Sequence, residues 1–372
     1  MTPGLPLEAY ALGLTALNPA LGPRRLRELL AEYSPPAAWE AIAAEALPEH
    51  LVASPRQPDA AATRAAWRQS AAALDLDGLW DRSEAMGAHV AVLGQPGYPG
   101  RLADDIAPPA VLCWLGDISL LDRPAVAIVG TRSASFVGKA VAEEFGRELA
   151  LAGLAVVSGL ATGIDGAAHR GALLPGTGPS PAVGVIAGGL DVVYPPSHRQ
   201  LWREVSRRGL LLGESAPGLR PEAWRFPQRN RIIAALADVV VVVESRLTGG
   251  SMHTVREAEQ RSRPVLAVPG SVRSPLSAGT NQLLADGCTP ARDCLDVLVA
   301  LGLATEGAKR GPARVELPHQ WVLKLLQNES LDADGIAVRG GCSLEDVAMA
   351  IADLEGAGLV AQRDGWYESL VR

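Results

Sequence analysis

Three arginines, an asparagine and a phenylalanine fall within seven consecutive residues, 225–231. They are Arg225, Phe226, Arg229, Asn230 and Arg231. Pro227 lacks an N–H donor and suits the first turn of a helix, where free backbone N–H groups favour an anion. A guanidinium matches phosphate, an amide reads polar edges, and a phenyl ring can stack on a base. The stretch predicts a nucleic-acid or phosphate site, and the alternative is a solvated helix start with the phenylalanine in the core.

Five apolar runs divide the middle of the chain, separated by segments long enough for helices. They cover 126–129, 154–157, 183–186, 239–243 and 265–268. Strands this apolar are typical of a sheet buried on both faces. Alternating strands and helices predict an α/β fold with a doubly wound parallel sheet and right-handed crossovers.

Glycines and hydroxyl-bearing residues follow each run, within 130–135, 158–165, 188–191, 244–251 and 269–281. Ligands of such sheets bind beyond the carboxyl ends of the strands. Small residues there let phosphates approach backbone amides, and hydroxyl groups add donors. With Arg132 and the arginine-rich stretch, these segments predict an anion-binding edge.

That edge carries ionisable residues but no recognisable catalytic set. They are Asp165, His169, Asp191, Glu244 and His253, and no nucleophile–base spacing or carboxylate pair stands out among them. Residues 130–139 have the wrong spacing for a P-loop, and no GxGxxG follows the first strand. We therefore predict no catalytic residue and no cofactor.

Composition limits the classes of function. The chain has 372 residues, enough for two or three domains, and a net charge of −7, so any nucleic-acid contact must be a focused patch. No leader or membrane span is apparent. The cysteines lack CxxC pairing and histidine partners at metal spacing; they are Cys113, Cys288, Cys294 and Cys342. We predict a cytoplasmic protein with reduced thiols, no metal and no membrane contact.

Residues 1–85 are predicted to form a helical domain. Residues 14–30 resemble a helix-hairpin-helix, in which a glycine turn presents amides to a phosphate. The turn is degenerate, because Asn18 and Pro19 stand where glycine would allow close approach. Both a weak DNA contact and a purely structural or protein-docking cap remain open. The main domain is expected over 86–303.

A linker is predicted over 304–316, followed by a winged-helix domain over 317–372. From residue 317 onward there are four Lys or Arg against nine Asp or Glu. The candidate recognition helix, Ser343 to Leu354, has no basic residue, unlike helices that enter a DNA groove. We therefore expect a protein-interaction or regulatory module rather than a duplex-DNA reader.

The order and spacing of six motifs resemble the DprA/Smf family of DNA-processing proteins. The motifs are VGTR at 129–132, SGLATGIDGAAH at 158–169, GLDVVYPP at 189–196, FPQRNRIIA at 226–234, TGGSMHT at 248–254 and GTN at 279–281. The resemblance implies an extended Rossmann-like core flanked by an N-terminal SAM- or helix-hairpin-helix-like domain and a C-terminal winged helix. It implies a homodimer that binds incoming single-stranded DNA in natural transformation. It also implies loading of RecA onto that DNA past single-strand-binding protein, with no catalytic step.

Carried over residue by residue, the resemblance implies a single-stranded DNA site with Arg132 on a backbone phosphate. Phe226, Arg229, Asn230 and Arg231 would line the groove for bases and phosphates. The full set of expected DNA-binding residues is Arg132, Ser158, Gly159, Gly163, Arg225, Phe226, Arg229, Asn230, Arg231, Gly249, Gly250, Ser251, His253, Thr254 and Asn281.

The alternative is a nucleotide-processing enzyme, such as a phosphoribohydrolase-like protein, on the same core. Such enzymes carry a PGGxGTxxE helix start with a catalytic glutamate and an arginine. Residues 248–257 lack the leading proline and the GT pair, although Arg256 and Glu257 are present.

Overall fold

A computed structural model describes residues 4–53, 59–173, 178–304, 319–326, 329–356, 359–363 and 365–369. All but the first residue of the predicted linker, 304–316, lie outside these ranges.

A mostly parallel sheet occupies the centre of the protein, as predicted. In the described chain its strands are β1 (His89–Val92), β2 (Val111–Gly116), β3 (Ala125–Val129), β4 (Ala155–Ser158), β5 (Ala182–Val185), β6 (Leu210–Gly213), β7 (Val239–Val242), β8 (Val265–Ala267) and β9 (Thr289–Pro290). Their spatial order is β1-β2-β6-β5-β4-β3-β7-β8-β9. From β6 to β9 in this spatial order, each strand is parallel to its neighbour. The β1–β2 hairpin adds an antiparallel edge on β6.

The central strands are apolar throughout because helices cover both faces of the sheet. In β3, Val126 and Ile128 join one core cluster, whereas Ala127 and Val129 join the cluster on the opposite face. Strand β6 was not predicted, because three leucines directly after a helix and Gly209 do not separate a strand from a continuing helix.

Helices lead into the sheet and alternate with its strands. Before β1 lie α1 (Leu7–Ala16), α2 (Pro23–Glu32), α3 (Pro35–Ala43), α4 (Glu49–Val52), α5 (Ala60–Ala73) and α6 (Leu76–Ala85). Within the sheet region lie α7 (Gly100–Ala103), α8 (Phe136–Leu151), α9 (Ile164–Ala172), α10 (Arg199–Arg208), α11 (Arg225–Leu236), α12 (Ser251–Gln260), α13 (Ala278–Ala285) and α14 (Cys294–Ala300).

The N-terminal helices pack on the same sheet face as α8 and α9. Leu12 and Trp67 belong to one apolar cluster with Val126 and Phe145. The Thr15 hydroxyl accepts a hydrogen bond of 3.0 Å from the backbone N–H of Ala216. Helices α11 and α12 cover the other face.

The C-terminal elements enclose an apolar core of their own. They are α15 (Gln320–Leu325), α16 (Ala333–Gly340), α17 (Leu344–Gly356), β10 (Val360–Arg363) and β11 (Trp366–Ser369). Leu331 and Tyr367 also exchange two backbone hydrogen bonds, beside the hairpin. None of the described helices is both long and apolar enough to cross a membrane.

Candidate nucleic-acid interface

A groove lies beyond the carboxyl ends of β3 and β7, between the first turns of α11 and α12. Eight of the predicted residues line it: Arg132, Phe226, Arg229, Asn230, Gly250, Ser251, His253 and Thr254. The sheet topology explains part of this convergence. Because β3 and β7 are parallel neighbours, the loop that carries Arg132 and the start of α12 lie at the same edge of the sheet.

A cation and two aromatic rings lie side by side in the groove. The guanidinium carbon of Arg132 lies 4.7 Å from the ring centroid of Phe226, within cation–π range. The Phe226 and Tyr194 ring centroids are 5.5 Å apart, with the planes inclined at 47°. Arg132 is exposed, and Tyr194 keeps 42% of its surface accessible. This row offers both a phosphate partner and surfaces on which a base can stack.

The loop that carries Arg132 is held on both sides by neighbouring elements. The Thr131 N–H donates to the Glu244 carbonyl at 2.7 Å, and the Thr131 carbonyl accepts from the Ile164 N–H at 3.3 Å. Gly163 has a φ of 80°, and a Cβ there would overlap the carbonyls of Thr131 and Arg132. Only glycine therefore suits this turn.

Arg229 forms part of the groove floor rather than its rim. It is 5% exposed, and its Nη1 donates to the Val185 carbonyl at 2.9 Å. Burial lowers the pKa of the guanidinium to about 10, and the nearby Asp165 carboxylate opposes the shift. Arg229 therefore stays charged at neutral pH. Asp165, whose own pKa is raised by burial, accepts from the Gly159 N–H at 3.1 Å and lines the same groove.

The first turn of α12 forms the opposite wall. Gly250 and His253 are exposed, whereas Ser251 and Thr254 are buried. The Ser251 hydroxyl donates to the Ser245 hydroxyl at 2.8 Å, which fixes the helix start against the end of β7. The positive end of the helix dipole therefore faces the groove and favours an anion.

Comparisons with known proteins identify the family of the chain. Residues 89–302 match the family model of the DNA recombination-mediator protein A. That span exceeds half of the chain. The chain belongs to the DNA recombination-mediator protein A family.

Individual members of the family support the assignment. Protein Smf of Escherichia coli is 33% identical over 285 residues, which are 74% of this chain and 75% of that protein. The X-ray structure of DprA from Streptococcus pneumoniae matches with a TM-score of 0.61 and 29% identity, over 78% of this chain and 97% of that one. A structure on the single-stranded DNA binding mode of Helicobacter pylori DprA matches with a TM-score of 0.51 and 32% identity, over 57% and 95%.

In this protein, the side chains of two arginines of the predicted set point away from the groove. Arg231 is 5% exposed, pairs with Glu214 and donates to the Ala107 carbonyl. Arg225 donates to the Ser215 hydroxyl at 3.1 Å, on the side that faces the N-terminal helices. The sequence analysis placed both arginines in the groove. Their positions around the axis of α11 direct their side chains away from it.

Five more predicted residues support the groove or lie beside it. Ser158 is fully buried and donates to the Ile128 carbonyl at 2.6 Å. Gly159 lines an adjoining smaller cavity, where a Cβ would overlap the Arg229 guanidinium. Asn281 exchanges two hydrogen bonds with the backbone of Gly270. Gly163 and Gly249 also lie outside the groove lining and shape turns.

Tyr194 and Thr131 line the groove but were absent from the predicted set. Tyr194 lies within the GLDVVYPP motif at 189–196, but the sequence analysis gave it no DNA-binding role. An aromatic residue a few positions beyond a predicted strand end was the available signal.

The enzyme alternative draws no support from the groove. Glu257, its candidate catalytic carboxylate, pairs with Arg261 at 2.7 Å and is absent from the groove lining. Arg261 is itself buried against Asp105 at 2.7 Å. This network joins α12 to the 104–107 segment and has a structural role.

Proposed function

We propose that this protein binds single-stranded DNA in its groove and loads RecA onto that DNA in natural transformation and recombination. The observation that carries the proposal is the contact of Arg132 with Phe226, beside Tyr194, at a helix N-terminus. A phosphate can pair with the guanidinium while the adjacent base stacks on a ring.

The groove favours single strands over duplex for a physical reason. Its rings can receive only bases whose faces are free, and bases in a duplex are stacked on one another. Since the net charge is −7, a general attraction for any polyanion is absent and the contact must be local.

The remaining parts of the proposal rest on the family. RecA and single-strand-binding protein are the expected protein partners, the active form is a homodimer in the cytoplasm, and no catalytic step is involved. We assign 1–85 to a SAM- or helix-hairpin-helix-like domain and 86–303 to the extended Rossmann domain. After a linker at 304–316, 317–372 forms a winged helix. The absence of basic residues in α17 supports protein interaction as the role of that last domain.

Fluorescence anisotropy with labelled oligo-dT across a salt series tests DNA binding. Arg132→Ala should weaken binding markedly and reduce the salt dependence by about one unit of log–log slope. Arg123→Ala is the matched control, because Arg123 is also exposed but precedes the opposite end of the same strand, β3. Duplex of equal length should bind weakly. Equal binding of duplex, or equal effects of the two variants, would remove the groove from the proposal.

RecA loading needs its own assay. RecA filament formation on oligo-dT coated with single-strand-binding protein should accelerate with the wild-type protein and not with Arg132→Ala. Acceleration by both proteins would show that RecA loading does not depend on the groove.

A further inference from the structure

Three adjoining depressions follow the carboxyl edge of the sheet in strand order. The groove lies at β3 and β7, and a smaller cavity lies at β4 and β5. A cleft at β5 and β6 continues toward the N-terminal helices. The groove and the cavity share Tyr194 and Phe226. The cavity and the cleft share Ile186 and Ala187. Arg229 lines all three depressions. Strands β7 and β6 are separated by four strand-to-strand steps in the sheet. At the usual spacing between neighbouring strands, the path along the sheet edge is about 19 Å long.

A second cation–aromatic pair lies at the far end of this path. The guanidinium carbon of Arg225 lies 4.4 Å from the ring centroid of Trp224, and Trp224 retains 36% of its surface. Both residues line the cleft, together with Gly22 and Pro23 at the start of α2. The first turn of α11 thus carries Phe226 toward the groove and Trp224 toward the cleft.

The positive charge along the cleft is only partly countered by neighbouring carboxylates. Arg225 Nε and Arg229 Nε are buried without a hydrogen-bond partner among the described residues. The Glu214 carboxylate, which also lines the cleft, is paired with Arg231. Glu222 is exposed; it accepts from the Trp224 indole N–H at 2.8 Å and lies 3.8 Å from Arg225 Nε. Glu222 is therefore the acid that an incoming phosphate would meet.

We propose that Trp224 and Arg225 form a second binding position for single-stranded DNA, in which a base stacks on Trp224 and its phosphate pairs with Arg225. The strand would run from the Arg132–Phe226 pair across the start of α11 to this second pair. The inference rests on the proposed function, since it extends the same strand beyond the groove.

Oligonucleotide length separates the two positions. Affinity is measured for dT oligomers from four to twelve nucleotides with wild type, Trp224→Ala, Trp224→Phe and Phe226→Ala. Trp224→Ala should weaken binding of the long oligomers about tenfold and leave the shortest unchanged, because one stacked base is lost. Trp224→Phe should retain most of the affinity. Phe226→Ala should weaken binding at every length.

Binding of the shortest oligomer also reports whether Trp224→Ala is folded. Trp366→Ala is the matched control, because Trp366 is 50% exposed in the C-terminal module. Photocrosslinking of an oligomer containing 5-iododeoxyuridine should label Trp224 in the wild type.

Three results would overturn the inference. Unchanged affinity of Trp224→Ala for long oligomers would exclude the second position. Equal losses at all lengths would assign Trp224 a structural role at α11. Failure of the wild type to bind any oligomer would overturn the proposed function itself, and the second position with it.

Discussion

The Ser135 hydroxyl donates a hydrogen bond of 2.6 Å to the Glu244 carboxylate, joining the loop after β3 to the segment after β7. The same carboxylate accepts from the Ser135 N–H at 2.9 Å, while the Ser135 hydroxyl caps α8 by accepting from the Gly138 N–H. One acidic side chain therefore fixes the loop that presents Arg132. It acts without lining the groove itself.

Glu244→Ala should lower both stability and DNA affinity. The substitution leaves two donors of Ser135 without their acceptor, which costs about 1–3 kcal/mol in the free energy of unfolding. Glu244→Gln keeps one oxygen as an acceptor and should have a smaller effect. Urea denaturation and oligo-dT anisotropy measure the two quantities. Wild-type affinity in a destabilised Glu244→Ala protein would show that the loop does not need this anchor.

Phe226→Ala should weaken oligo-dT binding by about 1–3 kcal/mol, because one stacking surface is removed. Phe136→Ala is the comparison variant, since Phe136 is 43% exposed at the start of α8 but lies outside the groove lining. Titration by anisotropy at fixed salt gives both affinities. Similar losses in the two variants would indicate a general apolar effect rather than stacking in the groove.

Arg231→Ala should affect folding rather than the DNA contact. Its side chain is 6% exposed and paired with Glu214, and removing one member of a buried pair costs about 3–5 kcal/mol. Chemical denaturation should therefore show a large loss, and the folded fraction should keep near-normal affinity for DNA. A stable variant with poor binding would return Arg231 to the set of DNA-binding residues.

The buried His169 should make the free energy of unfolding depend on pH. Burial lowers its pKa from 6.5 to about 4, while its Nε2 donates to the Val183 carbonyl at 3.1 Å. Between pH 6.5 and pH 4, the unfolded chain binds a proton at His169 that the folded chain excludes. The free energy of unfolding therefore decreases as the pH falls from 6.5 to 4. The loss amounts to about 3 kcal/mol.

The matched variant is His169→Gln, whose amide can still donate to Val183 but does not titrate. Denaturation at several pH values between 4 and 7 should show a shallower decline than for wild type. Parallel curves for the two proteins would mean that His169 is protonated in the folded state or contributes nothing.

The sequence by itself determined five strands of the parallel sheet and the edge at which the residues that follow them lie. Five short apolar runs without alternation are typical of strands covered on both faces, and the loops that follow parallel strands lie at one edge of the sheet. Arg132 and the start of α11 were predicted at that edge from local signals, the end of a strand and a proline in a first helical turn. The match to the family model, over residues 89–302, includes these segments.

Only the tertiary structure decided which side of α11 each arginine faces. Arg229 and Arg231 are separated by about 200° around a helix, so one lies beneath the groove and the other pairs with Glu214. Arg225 turns toward the N-terminal helices, whose packing on the sheet no local pattern specifies. Tyr194 reaches Phe226 across 32 residues of sequence. Such contacts depend on long-range packing, which sequence spacing does not encode.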